Sequence, residues 1–315
     1  SQVYGGKKDD YGWGVTETID GGYVIVGETF SFGNGQSDIY LFKVDSLGHK
    51  IWDNTFGGIA EDVGYSIANA DDGGFVVASQ TRSYGKGGSD GMLVKFDQNG
   101  KKEWEKVYGG KGLDYFRSII KDSTKGFIVS GGTRSFSNGD SQAWLISVDE
   151  SGFIIWENTY GDNKEDSFDM VKQTKTNGYI AVGYSSSFFS SGSNDVFMAR
   201  IDSLGKKIWQ KYHGGKNDDR GYAISQCSDG GYIIAGETAS YGKGKNDILV
   251  IKTNSIGDKK WMSTFGGNGV DIGKSIEELP RGGFIITGTS TISNLSFDAI
   301  MIKTNEKGES GNYSR

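Results

Sequence analysis

The chain has 315 residues, a net charge of −6 and an isoelectric point near 5.1. This acidic balance argues against nucleic acid as a partner, because phosphate binding needs a basic surface. No stretch approaches the roughly 18 consecutive apolar residues of a membrane span, so we expect no membrane insertion.

One motif recurs from the start of the chain to its end. Each copy has an aromatic residue, then Gly-Gly, then an aspartate four residues later, with Tyr160-Gly161-Asp162 as the degenerate copy. The aspartates follow one another at intervals of 52, 52, 52, 53 and 52 residues, and they are Asp10, Asp62, Asp114, Asp166, Asp219 and Asp271. This regularity predicts one domain of six tandem repeats. Their approximate bounds are 5–56, 57–108, 109–160, 161–213, 214–265 and 266–315, the last joined by 1–4.

Each repeat contains four predicted strands, recognised by alternating apolar residues between turn residues. In the second copy these strands cover 64–70, 75–81, 90–97 and 102–108. The turn before the fourth strand has the form Asp-x-x-Gly, in which the aspartate caps the turn and glycine takes the left-handed position. Asparagine replaces the aspartate in two copies. The equivalent turns begin at Asp45, Asp149, Asp202, Asn254 and Asn305.

The two ends of the chain favour a closed propeller over an open array of sheets. Every complete fourth strand carries a tryptophan four residues after the turn glycine, at Trp52, Trp104, Trp156, Trp209 and Trp261. The sixth copy has Asn312 at this place, whereas Ser1 to Tyr4 look like the back half of a fourth strand. We therefore predict an all-β, six-bladed propeller with four antiparallel strands per blade, in which the N-terminal strand closes the last blade.

The fifth repeat carries a family resemblance. Its landmarks are Gly214-Gly215, Asp219, Gly221, Ile224, Asp229-Gly230-Gly231, Ile233 to Thr238 and Ser240. This run resembles the β-propeller repeats of bacterial and archaeal surface proteins, and the likeness covers the full length. The turn Asp45-Ser46-Leu47-Gly48 followed by Trp52 is similar to the tryptophan-docking motif of quinoprotein-type propellers. The resemblance implies a propeller displayed on, or secreted from, a prokaryotic cell.

The best candidate for a binding site is the mouth of the predicted central channel, on the face that carries the longer loops. Three residues after each aspartate, the repeats differ and present three aromatic and three charged residues: Trp13, Tyr65, Arg117, Asp169, Tyr222 and Lys274. Tyr11 and Tyr115 extend this group. Aromatic faces stack on sugars while charged groups bind hydroxyls or acidic substituents, which favours a carbohydrate ligand. The alternative is that these side chains plug the channel and pair with one another.

The repeated aspartates raise the question of calcium, a cation that prefers several oxygen ligands. A second series precedes the third strands, at Asp38, Asp90, Asp195, Asp247 and Asp298, with Gln142 interrupting it. Each loop offers only one or two carboxylates, so we expect a structural role in which they accept backbone N–H bonds. Calcium remains the alternative, and we expect no other cofactor.

Catalysis has little support in the sequence. His49 lies on a hairpin, His213 precedes Gly-Gly, and Cys227 is the single cysteine, expected to be buried and inert. We expect a monomeric, non-enzymatic propeller, extracellular or on the cell surface, that binds carbohydrate or a partner protein. A glycosidase or lyase that uses Asp169 and neighbouring aspartates is the alternative. A purely structural domain is the third hypothesis.

Overall fold

The computed structural model describes residues 2–124, 126–137, 140–162, 164–187, 193–293 and 296–311. Within these ranges the regular structure consists of 23 β-strands, with no α-helix. No helix in this part of the chain is therefore long and apolar enough to cross a membrane. The chain divides into two compact units, Ser1–Thr159 and Tyr160–Arg315.

The first unit holds blades 1 to 3, each a sheet of four antiparallel strands joined in sequence order. Blade 1 consists of β1 (Asp10–Glu17), β2 (Tyr23–Thr29), β3 (Asp38–Val44) and β4 (Lys50–Phe56). Blade 2 consists of β5 (Asp62–Asn69), β6 (Phe75–Thr81), β7 (Asp90–Phe96) and β8 (Lys102–Tyr108). Blade 3 consists of β9 (Asp114–Asp122), β10 (Gly126–Thr133), β11 (Gln142–Val148) and β12 (Ile154–Tyr160).

The second unit holds blades 4 to 6. Blade 4 consists of β13 (Asp166–Gln173), β14 (Tyr179–Ser185), β15 (Asp195–Ile201) and β16 (Lys207–His213). Blade 5 consists of β17 (Asp219–Gln226), β18 (Tyr232–Thr238), β19 (Asp247–Thr253) and β20 (Lys259–Phe265). Blade 6 has three strands, β21 (Asp271–Glu278), β22 (Phe284–Ser293) and β23 (Ser296–Thr304).

These six antiparallel sheets make the fold class an all-β, six-bladed β-propeller, which confirms the prediction. The predicted strands of the second repeat agree with β5 to β8 to within two residues at each end. The agreement arises because Asp-Gly turns and Asp-x-x-Gly turns mark where the strands begin and end.

The second and third strands of the blades form the core. Every residue of β15, β18 and β19 is buried, because both faces of these strands pack against other sheets. Neighbouring blades of one unit share apolar clusters. Val26 and Ile39 of blade 1 belong to the same cluster as Val77 and Met92 of blade 2. Inter-sheet burial of this kind stabilises a repeat array through nearest-neighbour contacts.

Recurrent tryptophans of the fourth strands pack between blades. The ring of Trp52 lies so close to the turn glycine Gly100 of the next blade that a side chain at this glycine would collide with it. Trp209 has the same relation to Gly257. Glycine is required at these turns for a second reason, since Gly100 and Gly257 adopt φ values of 78° and 82°.

The N-terminal residues make the contacts of a fourth strand. Tyr4 packs against Phe42, with ring centroids 4.9 Å apart, and its hydroxyl donates to the carbonyl of Gly48. The hydroxyls of Tyr108 and Tyr160, which end β8 and β12, donate in the same way to the carbonyls of Gly152 and Gly205. Tyr4 therefore occupies the place of the last residue of a fourth strand, although Gln2 to Tyr4 form no regular strand.

Candidate functional site

All six residues predicted three places after the aspartates occupy β-bulges. In β1 the ladder steps from Gly12 to Gly14, so Trp13 has no partner in β2. The first strands of the other blades have the same irregularity, and the residues that it excludes from the pairing with the second strand are Tyr65, Arg117, Asp169, Tyr222 and Lys274. A bulge re-aims a side chain and is frequent beside functional sites.

The second strand holds these bulges in place. A Cβ atom at Gly27 in β2 would collide with the carbonyl oxygen of Tyr11, just before the bulge. Gly236 in β18 has the same relation to the carbonyl of Arg220. Blade 2 has Ser79 opposite Gly64. Close backbone approach therefore explains why most repeats have glycine at this position.

In the first unit, the predicted residues form a continuous run of contacting groups, which we call the aromatic row. Its members, in order of contact, are Phe30, Tyr11, Trp13, Tyr65, Arg117 and Tyr115. Tyr11 stacks on Trp13 with centroids 5.9 Å apart, and Trp13 meets Tyr65 at 6.1 Å. The guanidinium of Arg117 lies 4.0 Å from the Tyr65 ring centre and 4.8 Å from that of Tyr115.

The aromatic row is accessible at one end. Tyr11 is 46% exposed and Trp13 is 50% exposed, whereas Tyr65, Arg117 and Tyr115 are half-buried. Large aromatic side chains are normally much more buried than this. The row therefore combines mutual packing, as the plug alternative expects, with an open aromatic surface that a ligand can cover.

In the second unit, Tyr222 is the centre of a polar group. Its hydroxyl donates to Glu237 Oε1 at 2.5 Å, and Asn246 Nδ2 donates to the other carboxylate oxygen at 2.8 Å. Lys274 Nζ lies 3.8 Å from the centre of the Tyr222 ring. Burial, followed by the charge and hydrogen bond of Glu237 and by the charge of Asp169, raises the pKa of Tyr222. The phenol therefore stays protonated and acts as a donor.

Glu237, Asn246 and Arg220 were missed at the level of sequence. The Arg220 guanidinium packs 4.7 Å from the ring centre of Tyr184, and Glu237 is only 9% exposed. A signal was present, since the positions equivalent to Glu237 also vary among the repeats. They are Glu28, Gln80, Gly132, Tyr184 and Thr289.

Apart from Asp195 and Asp298, the repeated aspartates accept backbone amide bonds and act as loop caps in the described residues. Asp10 accepts hydrogen bonds from the Gly6 amide and the Ser31 hydroxyl, at 2.7 and 2.8 Å. Asp38 accepts from the amides of Asn34 and Gly35, at 3.0 and 3.1 Å. These bonds satisfy donors that would otherwise be unpaired, which supports the structural role. Among the described residues, no group of three or more His, Cys, Asp or Glu side chains is placed to hold a metal ion.

The histidines and the cysteine take structural positions. His49 Nδ1 contacts Asp45 at 2.9 Å in an exposed turn. His213 Nε2 lies 3.0 Å from the carbonyl of Gly257, and burial lowers the pKa of this imidazole. Cys227 is buried, and burial raises the pKa of its thiol to about 11. A thiol with this pKa is a poor nucleophile at neutral pH.

The bulged residues thus lie on a propeller scaffold. No protein-family model matches this chain. The chain is 26% identical over 151 residues to the regulatory protein FlaEY of Caulobacter vibrioides, a match that covers 44% of this chain and 15% of that protein. The chain therefore spans a small part of this curated relative.

Solved propeller structures are similar in fold over nearly the whole chain. The α-L-arabinofuranosidase of Fusarium graminearum in complex with an iminosugar inhibitor is 12% identical, with 92% of each chain covered and a TM-score of 0.55. The same enzyme in complex with arabinobiose is 11% identical, again with 92% of each chain covered and a TM-score of 0.55. At this identity the likeness shows the propeller fold alone.

Proposed function

We propose that this chain is a non-enzymatic, carbohydrate-binding propeller that works outside the cell or on its surface. The aromatic row is its binding surface. The observation that carries the proposal is the half-exposed pair Tyr11 and Trp13, stacked on each other and continued by Tyr65 and Arg117. Residues on bulges lie outside the strand ladder, so a ligand can contact their side chains without disturbing the hydrogen bonds of the sheet.

The chemistry of the row suits a sugar chain. Tyr11 and Trp13 stack on each other and are 46% and 50% exposed, so a sugar can contact the ring surface that this stacking leaves open. Arg117 carries only hydrogen-bond donors, which match sugar hydroxyls or the carboxylate of an acidic sugar. A pocket that combines aromatic walls with a few polar groups is the usual form of such a site.

The extracellular location rests on the resemblance of the repeats to those of bacterial and archaeal surface proteins. The same proposal includes a monomer that does not bind nucleic acid or insert into a membrane. The net charge of −6 supports the first of these exclusions.

Binding of oligosaccharides to wild-type and variant protein tests the proposal. Trp13→Ala should weaken binding about tenfold or more, because it removes the most exposed ring of the row. Phe153→Ala is the matched control, since Phe153 is 65% exposed and lies on the hairpin between β11 and β12. The measurements are a glycan array followed by calorimetric titration, with thermal unfolding as the test of folding. Equal affinity of Trp13→Ala and wild type for every bound glycan would contradict the proposal.

A second candidate is a glycoside hydrolase. The observation in its favour is that two carboxylates act on Tyr222. Glu237 accepts a hydrogen bond from its hydroxyl, and the charge of Asp169 raises its pKa. Glycoside hydrolases usually work with a pair of carboxylates. The similar fold of an arabinofuranosidase supports this candidate by analogy alone. Hydrolysis of a polysaccharide panel that disappears in Asp169→Asn, without loss of binding at the aromatic row, would favour this enzyme over the binding protein.

A further inference from the structure

The guanidinium of Arg220 forms no hydrogen bond and no ion pair with the described residues. Arg220 lies on β17, one place after Asp219, where blades 1 and 3 have Tyr11 and Tyr115. The residue is half-buried, and its guanidinium packs on the ring of Tyr184, whose centre is 4.7 Å away. A guanidinium has five N–H donors, so its burial without an acceptor is unfavourable. A ligand that supplies acceptor oxygens would remove this cost.

The acidic residue opposite Arg220 is bound to other side chains. Glu237 stands directly across from Arg220 in the ladder between β17 and β18. Opposite charges at such positions commonly stabilise a sheet by pairing. Glu237 instead accepts hydrogen bonds from the Tyr222 hydroxyl at 2.5 Å and from Asn246 Nδ2 at 2.8 Å. The guanidinium is therefore held against an aromatic ring, while the carboxylate opposite it has other partners.

Arg220 keeps its charge in this setting. Burial opposes the charge, but the neighbouring tyrosines and acidic groups raise the pKa of the guanidinium overall. One of these acidic groups, Asp218, accepts hydrogen bonds from the backbone and side-chain nitrogens of Asn194, at 2.8 and 3.1 Å. Lys274 adds a second positive charge, 3.8 Å from the centre of the Tyr222 ring. The second unit therefore presents a charged donor whose acidic neighbours are already hydrogen-bonded to other groups.

We propose that Arg220 is the main residue of a second binding site, which takes the carboxylate of an acidic sugar such as a uronic acid. The planar guanidinium matches a carboxylate through two parallel hydrogen bonds. Glu237 uses two of the roughly four hydrogen bonds that a carboxylate can accept, so it also accepts a bond from a sugar hydroxyl. A donor and an acceptor on opposite strands suit a ligand that carries carboxylate and hydroxyl groups together. No residue of the aromatic row takes part in this site.

Calorimetric titration of the intact protein with a trisaccharide of galacturonic acid tests the proposal, with the neutral trisaccharide of galactose for comparison. Arg220→Ala should weaken binding of the acidic trisaccharide about tenfold or more, because it removes the paired donors. Arg281→Ala is the matched control, since it makes the same change of charge at an exposed position in the turn between β21 and β22. Its affinity should equal that of the wild type.

Two further measurements separate a ligand-binding role from a structural one. Arg220→Lys keeps the charge but loses the planar pair of donors, so its affinity for the acidic trisaccharide should fall between those of the wild type and Arg220→Ala. Neither substitution should lower the midpoint of thermal unfolding, because the guanidinium has no hydrogen bond or ion pair to lose among the described residues.

Four results would overturn the proposal. The first is equal affinity of Arg220→Ala and wild type for the acidic trisaccharide, or no binding to either. The second is a fall of several degrees in the unfolding midpoint of Arg220→Ala, which would make the residue structural. The third is loss of binding in Trp13→Ala but not in Arg220→Ala, which would assign acidic sugars to the aromatic row. The fourth is equally tight binding of a triglutamate peptide, which would assign the site to acidic polypeptides.

Discussion

The aspartates that precede the third strands differ in how their oxygens are satisfied. Asp90 and Asp247 accept hydrogen bonds from loop amides three or four residues earlier, as Asp38 does. Neither carboxylate oxygen of Asp195 has a hydrogen-bond donor within the described ranges, although this side chain is fully buried. Burial, and then the charges of Asp219 and Asp218, raise the pKa of Asp195 to about 7.

Asp195 should make the folded state less stable as the pH rises. Between about pH 4 and pH 7 this carboxyl holds its proton only in the folded state, so the free energy of unfolding falls as pH increases through this window. Asp195→Asn removes the buried charge. We expect this variant to raise the midpoint of thermal unfolding by several degrees at pH 8 and to leave it nearly unchanged at pH 4.

Asp45→Asn is the control for this experiment. The pKa of Asp45 is lowered by hydrogen bonds from His49 and Leu47, so its ionised form is favoured in the folded state. Asparagine occupies the same turn position in two other repeats, at Asn254 and Asn305. The control should therefore gain no stability at pH 8. A destabilised Asp195→Asn at that pH would show that the charge of Asp195 is compensated in the folded state.

At the level of strands, sequence spacing located the candidate site but left its geometry open. Counting three residues from the aspartates selects Trp13 and Tyr222, and both lie on bulges. The bulge itself depends on close contact between two strands, such as Gly27 against Tyr11, and spacing within one strand contains no such information. Glu237 was missed for the same reason, because its bond to Tyr222 joins different strands.

The two kinds of tryptophan should respond differently to truncation. Trp52 in β4 packs against the core shared by blades 1 and 2 and against Gly100. Trp52→Ala should lower the free energy of unfolding by about 3 kcal/mol, since it leaves a cavity between sheets. Trp13→Ala should change it by less than about 1 kcal/mol, because this ring is half exposed. Denaturant titration measures both values, and similar losses would mean that Trp13 is a structural plug.

For the molecule as a whole, the repeat determined what could be predicted. Six copies of one pattern specify six sheets, because the same turns separate the strands in each copy. The pattern also identified Tyr4 as the end of a fourth strand, and its hydroxyl donates to Gly48 as that of Tyr108 donates to Gly152.

The net charge gives a prediction for the whole molecule. At neutral pH the excess of 40 acidic over 34 basic residues keeps copies apart by repulsion. With an isoelectric point near 5.1, solubility should be lowest near pH 5 and recover above pH 6. Precipitation by polyethylene glycol across this range measures the effect. A minimum well above pH 6 would mean that many carboxyl groups besides Asp195 titrate abnormally in the folded protein.

The bulges have a consequence for protein engineering. Because the side chain at each bulge stands outside the ladder, a combinatorial library confined to these positions would vary the chemistry of the surface while the hydrogen-bonded frame stays intact. The positions are Trp13, Tyr65, Arg117, Asp169, Tyr222 and Lys274. The six repeats already carry aromatic, acidic and basic residues at this equivalent bulge position. A library of this kind would therefore select new binding affinities on a scaffold that accepts such variation.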